Sequence, residues 1–448
     1  MIWMVAGKLF GTSGIRGKIG SEVTCELALN VGKSLATYLG NSGKVILGYD
    51  TRTTNQMLDQ AICAGLLESG VDVVKIGMVP TPLVGYAAEK LDADAGIMLT
   101  ASHNPSPYNG IKLWNRNGMA YTSAQEADIE NIYNNKLYES VTWDKVGSLS
   151  VNDEIKSQYV DDLVNMVEIK KGLKVVIDCA SGAGSEISPL VFRKAGCEVT
   201  TLNSQPDGFF PGRNPEPNAE NLQNLMKTVV AIGADLGIAH DGDADRMITV
   251  DENGDISPFD SLLALISKEF EGDIVTTVDA GLCMDESVKG EVIRTPVGDV
   301  NVAEVIIEKD AAFGGEPSGT WLHPDFCMCP DGILSGLRMA ELVSKKGKLS
   351  DLLAEIPSYP NIREKITCSA EAKIKVMDDM EELLKGAFDD IRDINSIDGV
   401  RLTFEDDSWV LVRPSGTEDY VRITLESRDA KRAEEINEIC KKIIKENI

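Results

Sequence analysis

Four short polar segments group residue types that can do chemistry together. In Thr100-Ala-Ser102-His103-Asn104-Pro105, an apolar run ends and Ser102 follows at once, so its hydroxyl is expected at the mouth of a cleft. Serine becomes a nucleophile only when activated. His103 is adjacent, but neighbouring side chains of an extended chain point to opposite sides, so it need not be the base. A helix N-cap or an Asn-Pro turn accounts for the segment equally well, and the hydrolase elbow G-x-S-x-G is absent. In Asp241-Gly-Asp243-Ala-Asp245-Arg246, carboxylates at i, i+2 and i+4 converge if the chain is extended. Like charges so close repel unless a cation holds them, and hard oxygen ligands suit Mg²⁺ or Ca²⁺. An EF-hand fails here, because Arg246 stands where glycine is required and the flanks read as strands. Gly314-Gly-Glu316-Pro-Ser318-Gly319 offers a carboxylate and a hydroxyl between glycines, suited to sugar hydroxyls or to a plain turn. Arg413-Pro-Ser415-Gly416-Thr417-Glu418, followed by Arg422, reads as a phosphate cradle of backbone N–H groups, hydroxyls and guanidinium, or as a hairpin turn.

The elements that must position these segments alternate short β-branched runs with amphipathic stretches, the pattern of an α/β protein. Expected strands cover 44–49, 71–77, 94–99, 173–179, 197–202, 273–279 and 291–294, with helices at 53–69, 153–168, 184–195 and 284–289 and others opening at Pro80-adjacent Thr81 and near 300. The last stretch differs: a charged helix over 370–392, a hairpin at 399–405 and 408–412, a strand at 420–426 and a terminal helix. Linkers are expected near 150, 254 and 362–368. This divides the chain into 1–150, 151–254 and 255–365, each α/β, and an α+β unit at 366–448. A short repeat supports the division. Asp94, Asp235 and Asp310 each begin a strand-like run and lead eight residues on to Ser102, Asp243 and Ser318; Thr81-Pro82 and Thr295-Pro296 precede Ser102 and Glu316 by 21. Three related loops at carboxyl ends of strands would face one cleft.

Composition narrows the function. The 448 residues carry a net charge of −27, which disfavours nucleic acid and anionic membranes as partners. Aromatics at 6% argue against a base-stacking platform. No apolar run is long enough to span a bilayer, and the N-terminus lacks a basic leader, so a soluble cytoplasmic protein is expected. Nine scattered cysteines fit reduced thiols. His323-x3-Cys327-x-Cys329 lacks the second ligand pair of a zinc site. Gly32-Lys33-Ser34 lacks the first glycine of a P-loop, and Gly182-Ala-Gly184 lacks the third glycine of a dinucleotide fingerprint.

Taken together, and in this order, the four loops resemble those of the α-D-phosphohexomutases, and Gly11-Thr-Ser-Gly-Ile-Arg16-Gly17 resembles that family's N-terminal motif. The resemblance covers nearly the whole chain. It implies four domains around one cleft: three related α/β domains with mixed sheets and a smaller C-terminal α+β domain. It further implies a phosphoryl group on Ser102 and one Mg²⁺ held by Asp241, Asp243, Asp245 and a phosphoserine oxygen. Arg16 and Lys112 would act beside the phosphoserine as cationic or acid–base groups, with His103 as a further catalytic residue and Arg246 close by as a substrate-binding one. Glu316 and Ser318 would hold sugar hydroxyls, and Arg413, Ser415, Gly416, Thr417 and Arg422 the phosphate that is not reacting. The reaction would interconvert hexose 6- and 1-phosphates through a 1,6-bisphosphate, in a monomer or homodimer whose last domain is a candidate lid. Two departures stand out: Thr320 and Glu418-Asp419 occupy positions where many members have His and Glu-Pro. Asp299 resembles the branch acting on glucosamine phosphate, with glucose and mannose phosphates as alternatives. A metal-dependent sugar phosphatase and a non-catalytic sugar-phosphate-binding protein are remoter readings.

Overall fold

The computed structural model describes residues 9–11, 13–414 and 420–448. Thr12, Ser415, Gly416, Thr417, Glu418 and Asp419 lie outside the described residues.

Three successive units share one plan. In the first, Lys44–Tyr49 lies between the parallel strands Asp72–Met78 and Ala95–Leu99, and Tyr108–Asn115 returns antiparallel beside the latter. Ile15–Lys18 and Leu149–Val151 complete the two edges. The second unit repeats this with Lys174–Asp178 between Glu198–Leu202 and Leu236–His240, and Met247–Val250 returning. The third does so with Ile274–Thr277, Val292–Thr295, Phe313–Gly315 and Trp321–Leu322. Strands covered on both faces are almost wholly apolar, as Ala95–Leu99 and Leu236–His240 are. In each unit a polar loop joins the last parallel strand to the returning one, and the first three segments singled out above are these loops.

The repeat is real, but its expected register is wrong in the third unit. Equivalent amides entering the strand are Asp94 N bonded to Lys44 O, Asp235 N to Lys174 O and Ala312 N to Asp273 O. Asp310 instead matches Asp92 and Gly233, the left-handed residues two positions earlier. Thr320, not Ser318, is therefore the counterpart of Ser102 and Asp243. Likewise Thr81 opens the helix Thr81–Lys90, whereas Thr295 ends a strand, and Asp299 opens the matching helix Asp299–Lys309. Strand side chains repeat every two residues, so a shift of two leaves the apolar pattern almost unchanged.

The fourth unit is an antiparallel sheet in the order Asn361–Thr367, Tyr420–Glu426, Trp409–Pro414, Val400–Phe404, Ile391–Asn395. The helices Ala370–Asp378, Met380–Lys385 and Ala430–Asn447 pack against it. Two expectations fail here. The helix expected over 370–392 ends at Lys385, and Ile391–Asn395 is an edge strand. The linker expected at 362–368 is itself a strand, so a boundary at 365/366 cuts it. Ile362, Glu364 and Ile366 share one face of this strand and Arg363 and Lys365 the other, and Ile366 is buried.

The first three units share one core, in which Tyr86 stacks on Phe326 at 5.5 Å and meets Tyr159 at 5.2 Å. The helix Gly332–Lys346, which follows the third sheet, packs on the second: a Cβ at Gly336 would lie 3.2 Å from Phe192. The fourth unit has a separate core and meets the third through a small patch of Val278, Leu282, Trp409 and Leu411. The P-loop imitation at Gly32 belongs to a helix crossing, where a Cβ would sit 2.6 Å from Ile62 O. Among the described residues no helix is long and apolar enough to cross a membrane.

Candidate active site

The Ser102 loop is built from below. Ser102 has φ of 48°, so the chain is not extended there, and the expected divergence of neighbouring side chains fails. The His103 ring folds back, placing Nδ1 3.3 Å from Ser102 Oγ. Ser102 Oγ also donates to Asp241 Oδ2 at 2.7 Å. Beneath the loop, buried Arg52 donates to the carbonyls of Ser102, Asn104, Pro105 and Tyr108 at 2.6–2.9 Å and pairs with Asp50 at 3.0 Å. Thr100 Oγ1 links Asp50 Oδ2 to the Ser102 N–H. Asp50 and Arg52 escaped the sequence reading; their signal was a charged pair, Asp-x-Arg, directly after a strand.

The aspartate loop abuts the first. A Cβ at Gly242 would lie 2.4 Å from Ser102 O, so only glycine allows the contact. The carboxylates converge through a turn, with Ala244 at φ 57°, rather than through extended chain. Single carboxylate oxygens of Asp241, Asp243 and Asp245 lie within 4.8 Å of one another. Asp243 Oδ2 accepts from Thr81 Oγ1 at 2.6 Å and from Lys112 Nζ at 2.9 Å, and Asp245 Oδ2 from Lys112 Nζ at 2.7 Å. The other oxygens of Asp243 and Asp245 are buried without a hydrogen-bond partner, although Arg246 Nε lies 3.9 Å from Asp245 Oδ1. Buried, unsatisfied carboxylate oxygens around Ser102 are what a hard divalent cation would satisfy, so the residues fit a metal. Burial and then the Asp245 charge raise the Asp241 carboxyl well above its ordinary value. Burial works in the same direction on Asp243, but Lys112, Thr81 and Arg16 hold it below the usual range. Burial works against the Lys112 ammonium, yet Asp243 and Asp245 raise it, so it stays charged. His240, just upstream, bonds to Ser188 Oγ and lies 3.2 Å from Arg246 O; burial lowers it to about 4, so it is a neutral brace for the loop.

Arg16 and Lys112 come from the paired strands Ile15–Lys18 and Tyr108–Asn115, where Arg16 faces Gly110. Arg16 reaches Asn104, and its buried Nε has no partner. Arg246 pairs with Asp241 at 3.1 Å and with Glu216 at 3.4 Å, and Glu216 also lies 3.7 Å from His103 Nε2. Burial, then Arg246 and Arg16, lowers the His103 imidazole and keeps it neutral.

The third loop joins the second through an antiparallel bridge between Arg246 and Thr320. Ser318 Oγ donates to Glu316 Oε2 at 3.1 Å, and Glu316 Oε1 accepts from Gly298 N at 2.6 Å. Burial, followed by Asp299 and Asp279, raises Glu316 to about 7. Asp299 lines a cavity of about 150 Å³ together with Lys112, Gly11, Ser13 and Gly14. From the fourth unit come Arg413 and Arg422, directly opposite each other on adjacent strands, with Lys365 opposite Arg422 on the next. Like charges so placed are unfavourable unless an anion joins them. Asp398 lies 2.8 Å from Arg413 Nε and accepts from Val297 N at 3.0 Å, the amide preceding the one that holds Glu316. Sequence reasoning missed Lys365 and Asp398.

His323 is buried away from this chemistry, bonded to Ser335 Oγ at 2.9 Å. The neighbouring Cys327 and Cys329 pack against Gly118 and Gly85 of the first unit. Among the described residues, the aspartate triad is the only group of three or more such side chains placed to hold a metal.

Family models describing the four domains of phosphoglucomutase/phosphomannomutase match in order: α/β/α domains I, II and III at residues 7–139, 157–254 and 258–359, and the C-terminal domain at 365–442. The chain belongs to the phosphoglucomutase/phosphomannomutase family, within the α-D-phosphohexomutases, a family of phosphotransferase enzymes. A relative from Methanobrevibacter smithii, named a probable phosphoglucosamine mutase, is 86% identical over 99% of this chain and 100% of its own. One of the same name from Methanothermobacter thermautotrophicus is 60% identical, covering 96% of each chain. The crystal structure of a phosphoglucomutase/phosphomannomutase family protein from Burkholderia thailandensis matches with a TM-score of 0.88 and 28% identity, covering 99% of this chain and 98% of the other.

Proposed function

We propose that the enzyme interconverts glucosamine 6-phosphate and glucosamine 1-phosphate, through a phosphoserine at residue 102 and a hexose 1,6-bisphosphate intermediate. The observation that carries the reading is Ser102 Oγ, 2.7 Å from Asp241 in a buried aspartate triad that also binds Lys112. The names of the relatives support the sugar. Phosphorylated Ser102 passes its phosphoryl group to a sugar hydroxyl; after the bisphosphate turns over in the cleft, the other phosphate returns to the serine. Magnesium held by Asp241, Asp243, Asp245 and an oxygen on Ser102 would neutralise charge on the transferring group. Lys112 and Arg16 supply fixed positive charge at the same place, and Arg246 orients Asp241. His103, the neutral group nearest Ser102 Oγ, would move the proton.

Glu316 and Ser318 hold the sugar hydroxyls, and Arg413 and Arg422, with Ser415, Gly416 and Thr417, hold the non-reacting phosphate. Hydroxyls at C3 and C4 do not distinguish glucosamine from glucose or mannose, so the ammonium at C2 needs a carboxylate, and Asp299 in the cleft is the one assigned. A coupled assay with the three sugar phosphates tests this. A charge-assisted hydrogen bond of about 1.5–3 kcal/mol favours glucosamine phosphate roughly 10- to 150-fold in kcat/KM. Asp299→Asn should narrow that margin; an equal loss on all three sugars would make Asp299 structural. Equal wild-type efficiency on glucose or mannose phosphate would favour the broader phosphoglucomutase/phosphomannomutase reading.

A further inference from the structure

Arg401, on the strand Val400–Phe404, is only 7% exposed, yet its buried Nε makes no hydrogen bond with any described residue. Its one contact of note is the Trp409 ring, 4.6 Å from the guanidinium carbon. It faces a cavity of about 530 Å³ between the third and fourth domains. On the other wall stands Arg294, from the edge strand Val292–Thr295 of the third domain. Arg294 holds Asp285 through both terminal nitrogens, at 2.8 and 2.7 Å, but its Nε, like that of Arg401, is buried without a partner. Burial and then the charge of Arg294 lower Arg401 to about 9, against the opposing pull of Asp285, Asp279 and Glu426.

The remaining arginines of the wall, Arg392 and Arg428, are exposed and paired with Asp407 and Glu286. The rim is therefore charge-balanced; deeper in, Arg294 is paired with Asp285, while Arg401 feels Asp285, Asp279 and Glu426 only at a distance and has no carboxylate in direct contact among the described residues. A buried, unpaired ion is costly, and the cost disappears when a counterion reaches it. We propose that this interdomain cavity is an oxyanion site of the phosphate type, in which Arg401 supplies the fork and Arg294 its Nε–H. The site lies outside the catalytic cleft and does not depend on the reaction assigned to it. Because one arginine comes from each domain, a bound anion bridges them and restrains the fourth domain.

Equilibrium dialysis of the full chain against radiolabelled inorganic phosphate tests the site, using wild type, Arg401→Gln, Arg401→Lys and Arg294→Gln, with Arg413→Ala as a control for binding in the cleft. Wild type should show a site of millimolar Kd that survives Arg413→Ala, weakens at least about tenfold in Arg401→Gln and is partly restored by Lys. Arg294→Gln, which loses a single N–H contact, should weaken it less. Displacement by glucose 6-phosphate from Arg413→Ala would assign the occupant as a sugar-borne phosphate; failure to displace would assign free phosphate. Phosphate binding by Arg401→Gln equal to that of wild type would overturn the proposal. So would the absence of any site below about 10 mM once the cleft contribution is removed. Thermal melts settle folding, since removing an unpaired buried charge should not lower Tm.

Discussion

At the scale of single residues, the site depends on side chains that burial has pushed away from their solution behaviour. Ser102 holds its hydroxyl against Asp241 of the aspartate triad. Ser102→Ala should therefore lower turnover by at least about 10³-fold, as loss of a covalent carrier does. Purified wild type should weigh about 80 Da more than its sequence when phosphorylated, and the variant should not. Near-normal turnover by a variant free of host enzyme would remove Ser102 from the mechanism. Glu316 makes a pH prediction. Its carboxyl is raised from 4.5 to about 7, first by burial and then by Asp299 and Asp279. The native state thus holds this proton more tightly than the unfolded chain. Its stabilising effect is complete below about pH 4.5 and fades as pH rises through about 7. Glu316→Gln cannot ionise, so its Tm should match wild type near about pH 4 and exceed it by about pH 8. A constant difference between the two melting curves would show that Glu316 does not titrate in this range.

At the scale of elements, loops carry the candidate site and a buried ion pair shapes the serine loop. Arg52 ties four carbonyls of the serine loop to Asp50, using a fork that lysine cannot reproduce. Arg52→Lys should lower kcat by about 10²-fold through misplacement of Ser102, and should lower Tm as well, because buried carbonyls lose their donors. Unchanged kcat in steady-state assays would mean that the loop holds its shape without this support. The same local logic explains an error in the sequence reading: a residue in the left-handed region redirects its neighbours. Strand-based rules about which side His103 or the aspartates take do not survive Ser102 at φ 48° and Ala244 at φ 57°.

At the scale of the whole molecule, three domains share a core and the fourth is joined to them by a small apolar patch and polar contacts. Asp398 is central to that junction. It meets Arg413 at Nε, which leaves the two terminal nitrogens as the pair able to face a phosphate, and it bonds the Val297 amide beside the one that holds Glu316. Asp398→Asn should raise KM for the sugar phosphate about tenfold, the low end for one charge-assisted contact, with kcat nearly unchanged. Asp398→Glu should recover part of the loss. A fall in kcat at constant KM would place Asp398 in the chemical step instead of in phosphate positioning.

Much of this protein was legible in the residues themselves, because its candidate site residues lie in short contiguous segments, three of them loops directly after strands. Ser102, the triad, Glu316 and Arg413 can each be read from local type and spacing, and their order along the chain carried the family resemblance. The α/β plan was legible for a similar reason: apolar periodicity is local. What only tertiary structure decided are the relations between segments far apart in sequence. Examples are the aspartate loop lying on Ser102 through Gly242, and Lys112 bridging two carboxylates more than a hundred residues away. Others are the helix Gly332–Lys346 covering a sheet made by earlier residues, and an apparent linker at 362–368 pairing as a strand with Tyr420–Glu426. Even the register of the repeat in the third domain needed the sheet, since a two-residue slip changes hydrogen-bond partners while leaving the apolar pattern intact. Local sequence sets which groups exist and which face of an element they share; the packing of distant elements sets which groups meet, and from that come the burial and charge that make them reactive.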